Sequence, residues 1–263
     1  MAAWRVLALG SLALLAVCGG GWMRSLGVSR EEAEDLLRPF EGVGIAAVIG
    51  PVATVISGPV AGLRGVAEVC EGRGVRARWI PGDYASHSGH VGRIEGELLS
   101  ELAGITPRAG EIPFYSTVTG ERIDTSTLDA AYWYRNLRQT VLFSDTIKSL
   151  ADAGHRAFIE VSAHPVLVPA LHDIVEEAVV TGSLRRDEGS LDRLIRSAGE
   201  AFVGGVDIDW TRIAPAGPTV FRPTLRLPHP RGWPRSAAGR ACAPTGTGRG
   251  RGTGGAGGPG EDA

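Results

Sequence analysis

The segment Gly44-Ile-Ala-Ala-Val-Ile-Gly-Pro-Val-Ala-Thr-Val-Ile-Ser57 carries two β-branched, apolar runs on either side of Gly50-Pro51. Glycine followed by proline is a strong turn signal, and each run has the length and composition of a strand. The segment therefore predicts a β-hairpin with strands over 44–49 and 53–57.

The segments that flank the hairpin each supply one strand and one helix. Before it, a strand is predicted over 22–28 and a helix from Ser29 to about Arg38, because Ser29-Arg-Glu-Glu32 has the spacing of a capping box. After it, apolar residues at helical spacing predict a helix over 60–72, and alternating apolar and basic residues predict a strand over 75–80. The order β-α-β-β-α-β is that of the split βαβ, ferredoxin-like arrangement. We expect residues 20–82 to form such a subdomain and to fold autonomously.

The next segment, Asp83-Tyr-Ala-Ser-His-Ser88, carries an imidazole where a site between two subdomains would lie. Beyond it, strands are predicted over 112–119, 157–161 and 178–184, and helices over 94–102, 168–177 and 190–202. Alternating strands and helices, with little polar alternation in the strands, indicate a parallel sheet covered on both faces.

Three ordered motifs between about Arg5 and Trp210 resemble the acyltransferase domain of modular type I polyketide synthases. They are Tyr84-Ala-Ser-His87, Tyr132-Trp-Tyr-Arg-Asn-Leu-Arg138 and Ser162-Ala-His-Pro-Val-Leu167. The resemblance implies an α/β fold, with the ferredoxin-like small subdomain joined to the C-terminal part of an α/β-hydrolase-like large subdomain over 83–204. It also implies a lead-in helix over 1–19 and a linker over 205–231. The sequence departs from the family pattern at Ile49, Thr140 and Ala163.

The resemblance also implies roles for four residues. His87 would be the general base, Tyr84 and Ser86 would select the extender unit, and His164 would help to hold His87. For His164, the alternative is a loop histidine that fixes the turn before the helix over 168–177. The implied substrate is methylmalonyl-CoA, with malonyl-CoA as the alternative, and no bound cofactor is expected. The implied partners are the acyl carrier protein and other polyketide synthase domains.

Acyl transfer in this family also requires a serine nucleophile on a sharp strand-to-helix turn. No Gly-x-Ser-x-Gly motif occurs in the sequence of 263 residues. The family's arginine, which binds the malonyl carboxylate, would likewise lie upstream of Met1. We therefore expect the chain to carry the base without the nucleophile and to be inactive alone. The alternative is a noncatalytic remnant or a carrier-protein-binding module.

Composition excludes several classes of protein. A formal net charge of −2 gives no reason to expect nucleic acid or an anionic membrane as partner. Cys18, Cys70 and Cys242 are widely spaced, which predicts neither a zinc site nor a disulfide scaffold, but reduced thiols in a cytoplasmic protein.

The apolar run of residues 6–18 imitates a secretory signal, so an exported protein is a further alternative. Glycine-rich sequence predicts a disordered tail over 232–263.

Overall fold

Four antiparallel strands form the sheet that begins the fold. They are β1 (Trp22–Leu26), β2 (Gly44–Gly50), β3 (Ala53–Gly58) and β4 (Ala77–Trp79), in the order β2-β3-β1-β4. The predicted hairpin is present as β2 and β3, and β1 lies between β3 and β4. β4 is shorter than predicted, because the Val75 N–H donates to the Cys70 carbonyl at 2.8 Å and so closes the preceding helix.

Two helices cover one face of this sheet. α1 (Arg30–Leu37) begins with the predicted capping box, in which the Ser29 hydroxyl accepts from the Glu32 N–H at 3.2 Å and the Glu32 carboxylate accepts from the Ser29 N–H at 3.1 Å. α2 spans Val60–Gly72, as predicted. The element order is the predicted β-α-β-β-α-β. The core between sheet and helices consists of Leu26, Val28, Ala33, Leu36, Leu37, Ile56, Leu63, Val66 and Cys70.

The opposite face of the sheet packs against the segment that follows residue 138. Ala46, Ala47 and Val55 are buried there, with Met23 and Val141 against them. The Val141 N–H donates to the Ala46 carbonyl and the Val141 carbonyl accepts from the Val48 N–H, both at 2.9 Å. A single parallel bridge therefore joins this distant segment to the edge of β2.

The remaining elements follow in chain order. They are the 3₁₀ helix Gly89–Ile94, α3 (Glu95–Leu102), β5 (Phe114–Ser116), β6 (Glu121–Ile123), the 3₁₀ helix Thr125–Thr127, α4 (Ala130–Arg138), α5 (Phe143–Asp152), β7 (Ala157–Glu160), α6 (Val168–Ile174), β8 (Val179–Gly182), α7 (Leu191–Val203) and the 3₁₀ helix Trp210–Arg212. The strand β6 and the helices α4 and α5 were not predicted.

The prediction of one parallel sheet was wrong in its extent. β7 and β8 pair in parallel, but β5 pairs antiparallel with β6. The connection from β5 to β6 is short, with Gly120 at φ +77°, and short connections permit only antiparallel pairing. The connection from β7 to β8 contains α6 and is long enough for a crossover, so β8 can run parallel to β7. Within the part of the chain that the structure describes, the parallel sheet has two strands.

The computed structural model describes residues 18–213 except Asp83, together with Val6, Ala8 and Leu9. Those last three residues are helical, Cys18 and Gly19 lie in a turn and not in a helix, and the rest of the predicted lead-in helix lies outside the described residues. Most of the predicted linker and all of the predicted disordered tail also lie outside them. In the described part of the chain, no helix combines the length and the apolar character that a bilayer crossing would require.

Candidate active site

The loop between β4 and the first 3₁₀ helix is held by its own serine. The Ser88 hydroxyl donates to the Ala85 carbonyl at 2.6 Å and accepts from the His90 N–H at 3.2 Å, which caps the helix Gly89–Ile94. Ser88 is buried. Its hydroxyl is thus committed to the local structure of the loop.

The backbone of His87 adopts a conformation that needs support from its surroundings. Its φ is +55°, in the left-handed region that non-glycine residues rarely occupy. The His87 N–H donates to the Leu137 carbonyl at 2.9 Å, and the Ser57 hydroxyl donates to the His87 carbonyl at 3.4 Å. Contacts from α4 and from β3 therefore hold the strained residue, and such conformations concentrate at functional sites.

The imidazole of His87 is oriented by the main chain. Its Nδ1 lies 2.8 Å from the carbonyl oxygen of Gln139, directly after α4. A carbonyl oxygen can only accept a hydrogen bond, so Nδ1 carries the proton. The other ring nitrogen, Nε2, then keeps its lone pair. This is the tautomer that a general base requires.

The surroundings of His87 also favour the neutral ring. Burial lowers the pKa of the His87 imidazole, and hydrogen bonds to the carbonyls of Gln139 and Asn136 offset part of that decrease. The pKa therefore lies below the ordinary value of about 6.5. At neutral pH the imidazole is uncharged and able to accept a proton.

The two predicted selectivity residues lie on the same loop. Tyr84 is half-buried. Ser86 is only 8% exposed, and its hydroxyl donates to the Met23 sulfur at 3.3 Å. The Ser86 side chain thus faces β1, on the sheet face that also contacts Val141. The selectivity roles of Tyr84 and Ser86 stay predictions.

His164 lies in a different hydrogen-bonding environment. It is exposed, and its Nδ1 accepts from the Arg186 N–H at 3.3 Å. The hydrogen bond that orients His87 comes from Gln139 and not from His164. A role of His164 in holding His87 stays a prediction.

Comparison with known proteins decides the family. The family model of the acyl transferase domain matches residues 2–208. The chain belongs to this acyltransferase family. It is 48% identical over 235 residues to the spectinabilin polyketide synthase system protein NorC of Streptomyces orinoci, covering 87% of this chain and 10% of that protein. It is 42% identical over 232 residues to an erythronolide synthase of Saccharopolyspora erythraea, covering 86% of this chain and 6% of that protein.

A solved acyltransferase structure has the same fold. The acyltransferase domain from module 8 of the salinomycin polyketide synthase superimposes with a TM-score of 0.78 at 45% identity, covering 80% of this chain and 51% of that domain. The loading acyltransferase of the avermectin polyketide synthase gives a TM-score of 0.73 at 37% identity, covering 76% of this chain and 65% of that one. The chain therefore spans about half of the first solved acyltransferase, about two thirds of the second, and a tenth or less of the two synthases.

Sequence reasoning missed two residues, of which Gln139 orients His87 and Glu160 holds the loop that follows β7. Gln139 acts through its backbone carbonyl, which leaves no mark on the sequence. Glu160, at the end of β7, accepts hydrogen bonds from the N–H groups of Val166, Leu167 and Val168 at 2.8 to 3.1 Å, and from the Ser162 hydroxyl at 3.1 Å. Its signal was a single acid in an otherwise apolar strand. Burial opposes ionisation of Glu160, but these hydrogen bonds outweigh it and lower its pKa.

The described side chains form no group of three or more histidine, cysteine or acidic residues that could hold a metal ion. What the described site offers is one neutral imidazole with a fixed tautomer. Such a ring can accept a proton at Nε2 and donate it again.

Proposed function

We propose that this chain supplies the general base of a polyketide synthase acyltransferase, which moves a methylmalonyl unit from CoA to the phosphopantetheine thiol of an acyl carrier protein. One observation carries the proposal. The His87 Nδ1 donates to the Gln139 carbonyl at 2.8 Å, which leaves Nε2 unprotonated in a site whose environment lowers the imidazole pKa.

The proposal includes two finer statements about architecture. The β2-β3-β1-β4 sheet with α1 and α2 would be the ferredoxin-like small subdomain over 20–82. The two-stranded β7–β8 sheet with α6 and α7 would be part of an α/β-hydrolase-like large subdomain over 83–204. The antiparallel order of the first sheet and the parallel pairing of the second support this assignment.

The chemistry is a double displacement through an acyl-serine. A serine supplied by another part of the synthase would attack the thioester carbonyl while the His87 Nε2 takes the hydroxyl proton. CoA leaves as a thiol after it receives that proton from the imidazolium. The carrier thiol then gives its proton to Nε2 and attacks the acyl-serine, and the imidazolium returns a proton to the serine oxygen. The Gln139 and Asn136 carbonyls stabilise the imidazolium formed in each half.

The choice between methylmalonyl and malonyl units would depend on Tyr84 and Ser86, which lie on the same loop as His87. Ser86 is small, and the methylmalonyl unit differs from malonyl by one methyl group, which a bulkier residue there would crowd. The half-buried Tyr84 lies two residues before it. The resemblance of Tyr84-Ala-Ser-His87 to the methylmalonyl-type motif supports this choice, with malonyl-CoA as the alternative substrate. The expected setting is a cytoplasmic synthase in which carrier protein and other domains are partners.

A noncatalytic, carrier-protein-binding module is the second candidate. The observation that favours it is the absence of a Gly-x-Ser-x-Gly motif from all 263 residues. In that case the fold would be retained for binding alone, and replacing His87 would have no consequence for function.

A complementation assay tests the proposal. The chain is combined with the nucleophile-bearing remainder of the salinomycin module 8 acyltransferase domain, and transfer of labelled methylmalonyl from CoA to carrier protein is measured. We expect transfer, and a loss of about 10² to 10⁴-fold in a His87→Gln variant, as removal of a general base produces. Carrier binding without transfer would establish the second candidate instead, and equal transfer rates for both proteins would remove His87 from the role of base.

A further inference from the structure

The hydrogen bond to His87 depends on the direction of one carbonyl group, that of Gln139. The Gln139 side chain is exposed, and its backbone N–H donates to the Arg135 carbonyl at 2.8 Å. That bond anchors the residue to the end of α4. The carbonyl itself belongs to the peptide unit shared with Thr140, and peptide units are planar. Its direction is therefore set from both sides, by Gln139 and by Thr140.

Thr140 is anchored by its side chain. The Thr140 Oγ1 donates to the Ile45 carbonyl at 2.7 Å, across 95 residues of sequence. The bond is partly buried, at the edge of β2. Val141, the next residue, is held to the same edge through the Ala46 carbonyl and the Val48 N–H. The Thr140 hydroxyl thus extends the attachment to β2 by one residue, up to the peptide unit whose carbonyl faces His87.

We propose that Thr140 is a positioning residue, whose hydroxyl fixes the Gln139–Thr140 peptide unit so that its carbonyl holds the proton of His87 on Nδ1. Through this contact with β2, the four-stranded sheet would determine which nitrogen of His87 carries the proton. The importance of this tautomer for catalysis rests on the proposed function. The effect of Thr140 on which His87 nitrogen carries the proton does not.

The effect has a direct spectroscopic readout in the full chain. Histidine labelled with ¹⁵N reports which ring nitrogen carries the proton, and the exchange of the Nδ1 proton with water reports how well it is held. Thr140→Val keeps the shape of the side chain and removes the hydroxyl. Thr140→Ser keeps the hydroxyl. Thr127→Val, which removes a hydroxyl that donates to the Asp124 carbonyl in a separate turn, is the matched control.

We expect Thr140→Val to speed exchange of the His87 Nδ1 proton about fivefold, the factor that corresponds to a net hydrogen-bond contribution of about 1 kcal/mol. It should also raise the population of the Nε2-protonated ring. Thr140→Ser and Thr127→Val should match the parent chain. If Thr140→Val does not stay folded, Thr140→Ala also removes the hydroxyl and can replace it. Circular dichroism shows which of these variants keeps the fold of the parent chain.

Unchanged exchange in every folded deletion variant would overturn the proposal. So would an equal change in Thr140→Ser, because the hydroxyl would then not be responsible. Neither the protonated ring nitrogen nor the exchange rate of its proton is measured with CoA or through acyl transfer. A failure of acyl transfer by the complemented enzyme would therefore count against the proposed function and leave this result standing.

Discussion

The His87 Nδ1 lies 2.8 Å from the carbonyl oxygen of Gln139, a residue 52 positions further along the chain. The two residues meet because α4 ends beside the loop that follows β4, and the Leu137 carbonyl accepts from the His87 N–H at the same place. The tautomer of the imidazole is therefore decided by tertiary structure. The neighbours of His87 in sequence do not decide it.

The lowered pKa of His87 predicts how stability changes with pH. Because its pKa in the folded state lies below the unfolded value, the unfolded chain binds the proton first as the pH falls. The contribution of His87 is thus fully present above about pH 6.5 and is lost as the pH falls through the folded pKa. The free energy of unfolding of the parent chain, relative to His87→Gln, should be constant above that pH and should decrease below it. Denaturant titrations across about pH 5 to 8 measure the difference. A difference that grows on acidification would contradict the assignment.

The chain alone should not form an acyl-enzyme. No activated serine is encoded in a Gly-x-Ser-x-Gly motif, and the Ser88 hydroxyl is held by Ala85 and His90. Incubation with labelled methylmalonyl-CoA, followed by denaturation and intact-mass spectrometry, should show the unmodified mass. A stoichiometric adduct would be incompatible with the proposed mechanism, and an adduct mapped to Ser88 would require a different one.

Extender selectivity should respond to Tyr84 and Ser86 in the complemented enzyme. Changing them to histidine and phenylalanine should shift the competition between the two CoA esters toward malonyl-CoA. One methyl group supplies about 1–3 kcal/mol of discrimination, so the expected outcome is relaxed selectivity. Ser86→Ala, which adds no bulk, is the control and should leave the ratio near that of the parent. An unchanged ratio in the double variant would remove these residues from the selectivity assignment.

The Ser86→Phe change has a separate cost that the structure makes visible. Ser86 is buried against the Met23 sulfur, and added bulk in a packed site costs about 1–3 kcal/mol of stability. Thermal unfolding of the double variant must therefore accompany the competition assay. A variant that is folded at the assay temperature gives a valid ratio.

The two parts of the chain should differ in stability. The core of the first sheet lies wholly within residues 22–77, and we expect limited proteolysis to leave a resistant fragment of about 20–90. Around β7, in contrast, Ile159 is 52% exposed and Val161 is 87% exposed. Among the described residues, the β7–β8 sheet has two strands, so each has an edge without a partner strand.

Exposed apolar side chains beside an open strand edge favour association. We expect the full chain to bind a dye for apolar surface, and Ile159→Thr with Val161→Thr to reduce the signal. Val52→Thr is the control, since Val52 is 59% exposed in the turn of the first hairpin. A monomer with one cooperative unfolding transition and uniform hydrogen-exchange protection over 20–204 would show that the second part has closed its own core.

The sequence predicted local structure well and long-range pairing poorly. The hairpin, both helices of the first subdomain and the capping box at Ser29 follow from turn chemistry and periodicity, which are local signals. The antiparallel partner of β5 was missed, because Glu121–Ile123 is short and its apolar character is weak. Gln139 and Thr140 could not be assigned from sequence, since their effect depends on a backbone carbonyl and on a contact 95 residues away. His87 itself was singled out through its motif, and its role as the base stays a prediction.

The measurement that tests the central claim most directly is the pH dependence of serine acylation in the complemented enzyme, followed in a single turnover. If His87 is the base, the rate should rise with pH through an apparent pKa below about 6.5 and should be level at neutral pH, and His87→Gln should be slower with no such step. A parent rate that still rises above neutral pH, or a His87→Gln profile that matches the parent, would contradict the account.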